Sequence, residues 1–128
     1  MKCAEEHSYL NEIKIFNHQN IGKVPLKELP IFSLFYLRDI LNQDYYQQYQ
    51  DILIKRILQN LNGNTNIQDL IYLTYSLKEN SYTKYLEIIN LDPFKNQYLY
   101  NIQARKEYLK FLDKYHLYEK ERIFAYTL

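Results

Sequence analysis

The chain has 128 residues, 47% hydrophobic and 24% charged, with 16 Lys and Arg against 15 Asp and Glu. This balance excludes a disordered tail, because a chain of this length and apolar content can bury one core without disulfides or metals. It also excludes a generic phosphate-binding surface, which needs a clear basic excess.

The single cysteine, Cys3, cannot form an internal disulfide, so a reducing compartment is expected. The N-terminal stretch carries acidic residues where a signal peptide needs an apolar run, and no segment approaches the roughly 20 apolar residues of a membrane span. A cytoplasmic protein with no membrane partner is therefore expected. Two glycines and three prolines are too few to punctuate a many-stranded β fold. The expected class is all-α, a single domain over residues 1–128 with about five to six helices.

In chain order, a first helix is predicted from Ala4 to His18, with Leu10, Ile13 and Phe16 on its apolar side and Gly22 as its terminator. Pro25 and Pro30 then predict a loop or short turn, since each disfavours helix at the residue before it. From Ile31, Leu34, Leu37 and Leu41 share a helical face, and the apolarity of this stretch predicts the most buried helix. A helix from Asp44 to Leu61 follows, with Asp44 as its cap and Tyr45, Tyr49, Ile52, Leu53, Ile57 and Leu58 at helical spacing. Thr65 or Asn66 caps the next helix, striped by Ile67, Leu70, Leu73 and Leu77. A short partner helix ends at Pro93. From Asn96 a helical pattern continues past Tyr115, with a break near His116.

Residues 34–53 align without a gap on residues 70–89 at an offset of 36, matching Tyr36 with Tyr72, Leu37 with Leu73, Leu41 with Leu77, Tyr46 with Tyr82, Tyr49 with Tyr85 and Ile52 with Ile88. The same shift carries Tyr72, Leu73 and Tyr82 onto Tyr108, Leu109 and Tyr118. A repeated antiparallel helical hairpin produces such matches, and so do two hairpins of similar composition with their faces aligned. In the first case the units stack, since one hairpin cannot bury its apolar face alone.

The segment YLEIINLDPFKNQYLYNIQ, Tyr85 to Gln103, resembles the junction between tetratricopeptide repeats: an acidic and apolar helix end, Pro93, then an aromatic, Asn and apolar start. Tyr72, Tyr85 and Ser81 occupy matching positions, and the resemblance extends over Asn66 to Lys106. Asp69 and Gln103 stand where the family places a small residue, and Ile57 where it places the proline. The resemblance implies stacked helical hairpins, no enzymatic activity and a groove that binds proteins or peptides. It also makes Asn101 and Arg105 candidate partner contacts, as Asn and basic residues on the first helices hold the partner in such grooves.

Catalytic and cofactor chemistry finds no foothold in the pattern. Cys3 and His7 form half of a metal site that nothing completes, the serines lack any nucleophile motif, and the glycines are too far apart for a phosphate-binding loop. No catalytic residue, metal or cofactor is assigned. In the C-terminal stretch, Lys106, Lys110 and Lys114 interleave with tyrosines as in a nucleic-acid track, but Glu107, Asp113, Glu119 and Glu121 make it a mixed-charge face. RNA binding is thus an outside alternative.

The fifteen tyrosines match the composition of an AT-rich genome, and they also suit protein interfaces, giving large contact area for little rotamer entropy. Gln97, Asn101 and Arg105 recur at four-residue spacing and so are expected to form one polar stripe. With Tyr98 beside them, Tyr98, Asn101 and Arg105 are the candidate partner-binding residues. The functional expectation is a non-enzymatic protein-binding protein, most concretely a bacterial immunity protein that occludes a toxin domain's active site. A tetratricopeptide-like adaptor or secretion chaperone is the alternative.

Overall fold

Pro25 and Pro30 bracket a single 3₁₀ turn, Leu26–Glu28, in the computed structural model, which describes residues 25–117. The expected helix at Ala4–His18, Gly22, the Cys3 and His7 pair, Tyr118 and the acidic residues Glu119 and Glu121 lie outside the described residues. The turn is tied down by Arg56, whose guanidinium donates to the carbonyls of Leu29 and Lys27. The two-pronged donor of an arginine suits this double grip.

Helix α1 spans Ile31–Tyr36 and α2 spans Arg38–Asp44. They run on from one another through Leu37, which departs from helical geometry at φ −91° and ψ 7° but keeps the ladder, Leu37 N donating to Ser33 O at 2.9 Å and Leu41 N to Leu37 O at 2.9 Å. Arg38 Nη1 donates to the Phe35 carbonyl at 2.9 Å beside this interruption. Helix α3, Tyr46–Asn62, buries Tyr49, Leu53, Ile57 and Leu61, a stripe at four-residue spacing. Asp44 does not cap it: Asp44 is the last residue of α2, and Tyr45 occupies the junction with no side-chain cap.

Asn66 caps α4, Ile67–Asn80, accepting from Asp69 N at 3.1 Å, and Ser81 caps α5, Tyr82–Ile89, accepting from Lys84 N at 3.3 Å. A single turn, α6, covers Asp92–Phe94 with Pro93 in its first turn, where its missing N–H costs nothing. A π turn follows at Lys95–Leu99, and α7 runs over Ile102–Lys114. The helix end near His116 is a Schellman motif: Leu117 N reaches Leu112 O at 2.8 Å and His116 N reaches Asp113 O at 3.3 Å, with His116 in the left-handed region at φ 56°.

The architecture is all-α, and no strand occurs among the described residues. α3 and α4 are antiparallel, because Gln50 near the start of α3 donates to Asn80 at the end of α4 at 3.2 Å. The most buried helix is α4, not the stretch from Ile31 that apolarity singled out. α4 packs against the continuous α1 and α2 segment, α3, α5 and α7 and buries eight of its fourteen residues, including Thr74, Ser76 and Asn80. Hydrophobic content ranks side chains, whereas the number of neighbours a helix receives is set by topology. The helix-start positions Pro30 and Asn66 are 36 residues apart, as are Tyr45 and Ser81, so the offset seen in the sequence coincides with two pairs of helix boundaries.

An aromatic cluster fastens α7 to this core. Phe35 meets Tyr72, Phe111 and Tyr115 at ring separations of 5.2, 5.4 and 5.0 Å, mostly edge to face. The hydroxyls of Tyr72 and Tyr115 share a hydrogen bond of 2.8 Å. Arg38 lies over the Phe35 ring at 4.2 Å and pairs with Glu79 at 3.2 Å. This clamp holds the last turns of α7, while its first turns border a cavity.

Candidate functional site

The cavity begins with the π turn. Tyr100 N bonds to Lys95 O at 3.0 Å, five residues back, so the chain is wider there than an α-helix. Such turns recur at functional sites because they redirect side chains that an α-helical register would place elsewhere. Here Tyr98 is carried inward to 8% exposure, its ring 4.8 Å from that of the fully buried Phe94. Leu99 follows it to the wall of a cavity of about 120 Å³. α4 contributes Thr74, Tyr75 and Lys78, α5 contributes Tyr85, and α7 contributes Ala104, Arg105, Tyr108 and Leu109. Ala104 is 1% exposed, so the space exists partly because this wall position has only a methyl group.

The wall is uncharged over most of its area. Burial pushes the phenols of Tyr75, Tyr85, Tyr98 and Tyr108 well above the ordinary tyrosine range, so all four remain protonated at neutral pH. Burial also lowers the Lys78 ammonium to about 8, an effect that neighbouring Glu79 opposes. The Lys78 ammonium lies 5.8 Å above the Tyr85 ring, within reach of a cation–π attraction. The Tyr98 hydroxyl is buried and makes no hydrogen bond. Thr74 adjoins it but donates its own proton to Leu70 O at 2.6 Å. A buried donor left this way carries a desolvation cost of about 1–3 kcal/mol.

The candidate partner-binding residues divide between two places. Tyr98 and Arg105 both line the cavity, Tyr98 within its wall and Arg105 with an exposed side chain. Asn101 lies instead along an open groove with Gly63, Thr65, Ile67 and Gln97, and its side chain caps α7 by accepting from Ala104 N at 3.1 Å. The expected stripe of Gln97, Asn101 and Arg105 therefore holds only in part, with Gln97 and Asn101 together along the groove and Arg105 at the cavity. It required one continuous helix from Asn96, whereas the π turn ends at Leu99 and the next helix starts at Ile102. Gln97 is committed to the Leu61 carbonyl at 3.3 Å and to the Thr65 hydroxyl.

Sequence reasoning did not single out Tyr100 and Ile102, the most exposed large apolar residues described, at 70% and 73%. They flank Asn101 at the corner between the π turn and α7. An Asn cap between two large apolar residues was the available signal, masked by treating the region as unbroken helix. Lys78 and Ala104 were missed too, since an apolar stripe does not reveal where a core is incompletely filled.

Among the described residues no group of three or more His, Cys, Asp and Glu is arranged to hold a metal ion, and no helix is long and apolar enough to cross a membrane. Compared with known protein families, with curated proteins and with solved structures, the chain matches none.

Proposed function

We propose that this chain is a non-enzymatic protein-binding module whose partner seats on the corner formed by Tyr100, Asn101 and Ile102, with Arg105 one turn further along α7. The observation that carries this reading is the pairing of two large apolar side chains, 70% and 73% exposed, on either side of a capped helix start. Isolated exposed apolar residues are ordinary, but two such groups on a capped corner beside an arginine have the composition of an interface hot spot. Capping by Asn101 holds the corner in place before binding, which limits the entropy lost on association. The concrete form of the proposal is an immunity protein that covers a toxin domain's active site.

The near-balanced charge of the chain implies apolar rather than electrostatic capture, so the complex is expected to survive high salt. The test is a pull-down from the native host with the intact protein as bait, run beside an Ile102→Asp, Tyr100→Ala double variant and a nuclease-treated sample. A single protein captured in stoichiometric amount, retained in high salt and lost with the double variant, supports the reading, and inhibition of that protein's activity establishes the immunity form. Several unrelated proteins would point to an adaptor, and nucleic acid released as salt rises would overturn the proposal.

A further inference from the structure

The cavity beside the π turn has three properties that together describe a ligand. Its volume of about 120 Å³ is close to that of a cavity able to take one benzene ring. Its lining includes four tyrosines, Tyr75, Tyr85, Tyr98 and Tyr108, whose rings can pack against another ring. Two cationic side chains, Lys78 and Arg105, belong to the lining, and no carboxylate does. Tyr98 adds a buried hydroxyl with no partner in the protein.

We propose that this cavity binds a small aromatic carboxylate, with the ring among the tyrosines and the carboxylate drawn to Lys78 and Arg105. The cavity shares Arg105 with the docking corner, but neither Tyr100 nor Ile102 lines it, and the variants that test it, at Lys78 and Ala104, leave that corner untouched. An apolar ring gains by leaving water for a preformed space, and an anion half-withdrawn from solvent is held only where cations meet it. The small side chain of Ala104 makes room for the ring, so this residue sets the size limit.

The experiment uses the full chain with benzoate as the probe and benzyl alcohol as its neutral counterpart of similar size, followed by ligand-observed NMR and by the shift in melting temperature. Benzoate is expected to bind saturably and more tightly than benzyl alcohol. Ala104→Leu, which fills the space with a larger apolar group, is expected to melt no lower than the parent and to weaken both probes by about tenfold or more, a difference well within titration accuracy. Lys78→Met is expected to weaken benzoate while leaving benzyl alcohol unchanged. The proposal is overturned if neither probe binds saturably, if Ala104→Leu binds as the parent does, or if benzyl alcohol binds as tightly as benzoate. Should Ala104→Leu fail to fold, the Lys78→Met comparison alone decides between the two probes.

Discussion

Tyr49 is fully buried and donates its hydroxyl proton to the Leu34 carbonyl at 2.8 Å, fastening α3 to α1 across fifteen residues of sequence. The ring fills the core and the hydroxyl occupies an acceptor that would otherwise lose water. Tyr49→Phe keeps the ring and removes the donor, so it is expected to cost about 1 kcal/mol, whereas Tyr49→Ala adds a cavity and is expected to cost about 3–5 kcal/mol. Denaturant unfolding of the two variants separates these contributions. A Phe variant as stable as the parent would mean the hydrogen bond adds nothing.

Asn80 is the polar junction of the central helix. Its amide donates to Asn42 Oδ1 at 2.8 Å and to the Tyr46 carbonyl at 3.3 Å, and its carbonyl accepts from the buried Gln50 at 3.2 Å. Asn80→Leu strands these partners, and a loss of about 1–3 kcal/mol is expected in chemical denaturation. The Asn80→Leu, Gln50→Leu double variant should recover part of that loss, because both halves of one buried pair are then apolar. Additive losses would contradict this coupling.

His116 closes α7 in a left-handed conformation that glycine adopts without strain. His116→Gly is expected to raise stability by a few tenths to about 1 kcal/mol, the relief of strain being partly offset by the greater freedom of glycine in the unfolded chain. Thermal unfolding of the two proteins side by side measures it. A lower melting temperature for the glycine variant would show that the histidine ring contributes more than the strain costs.

Alkaline pH should act on the tyrosines and on Lys78 with opposite signs. Burial raises the phenols of Tyr49, Tyr85, Tyr98 and Tyr108, so above the ordinary phenol pKa near 10 the unfolded chain releases protons that the folded chain keeps. Stability from these groups is full below pH 10 and is lost as pH rises beyond it. Lys78 has a folded pKa of about 8 against 10.5 for a free lysine, so between those values the unfolded chain holds the extra proton and stability rises with pH. The share of tyrosinate absorbance that belongs to these four buried phenols is therefore expected to appear in a cooperative step with unfolding rather than as a smooth titration near pH 10. Lys78→Met should abolish the rise between pH 8 and 10.5. A smooth titration near pH 10 that leaves no absorbance step at unfolding would contradict the packing described.

Local signals in the sequence carried far. Sparse glycine and proline determined the all-helical class, Pro25 and Pro30 the isolated turn, Asn66 the start of the central helix, and the pattern near His116 the end of α7. These features act within a few residues through φ restriction, capping and apolar spacing, so one chain suffices to read them. Tertiary packing decided what those rules do not reach. Residues 67–80 became the centre because four helices converge on them, and the helix expected from Asn96 yielded to a π turn that carries Tyr98 inward and leaves Tyr100 and Ile102 exposed. Whether a tyrosine fills a core, lines a cavity or meets solvent depends on which helices lie across from it, and that is a property of distant contacts rather than of its neighbours along the chain.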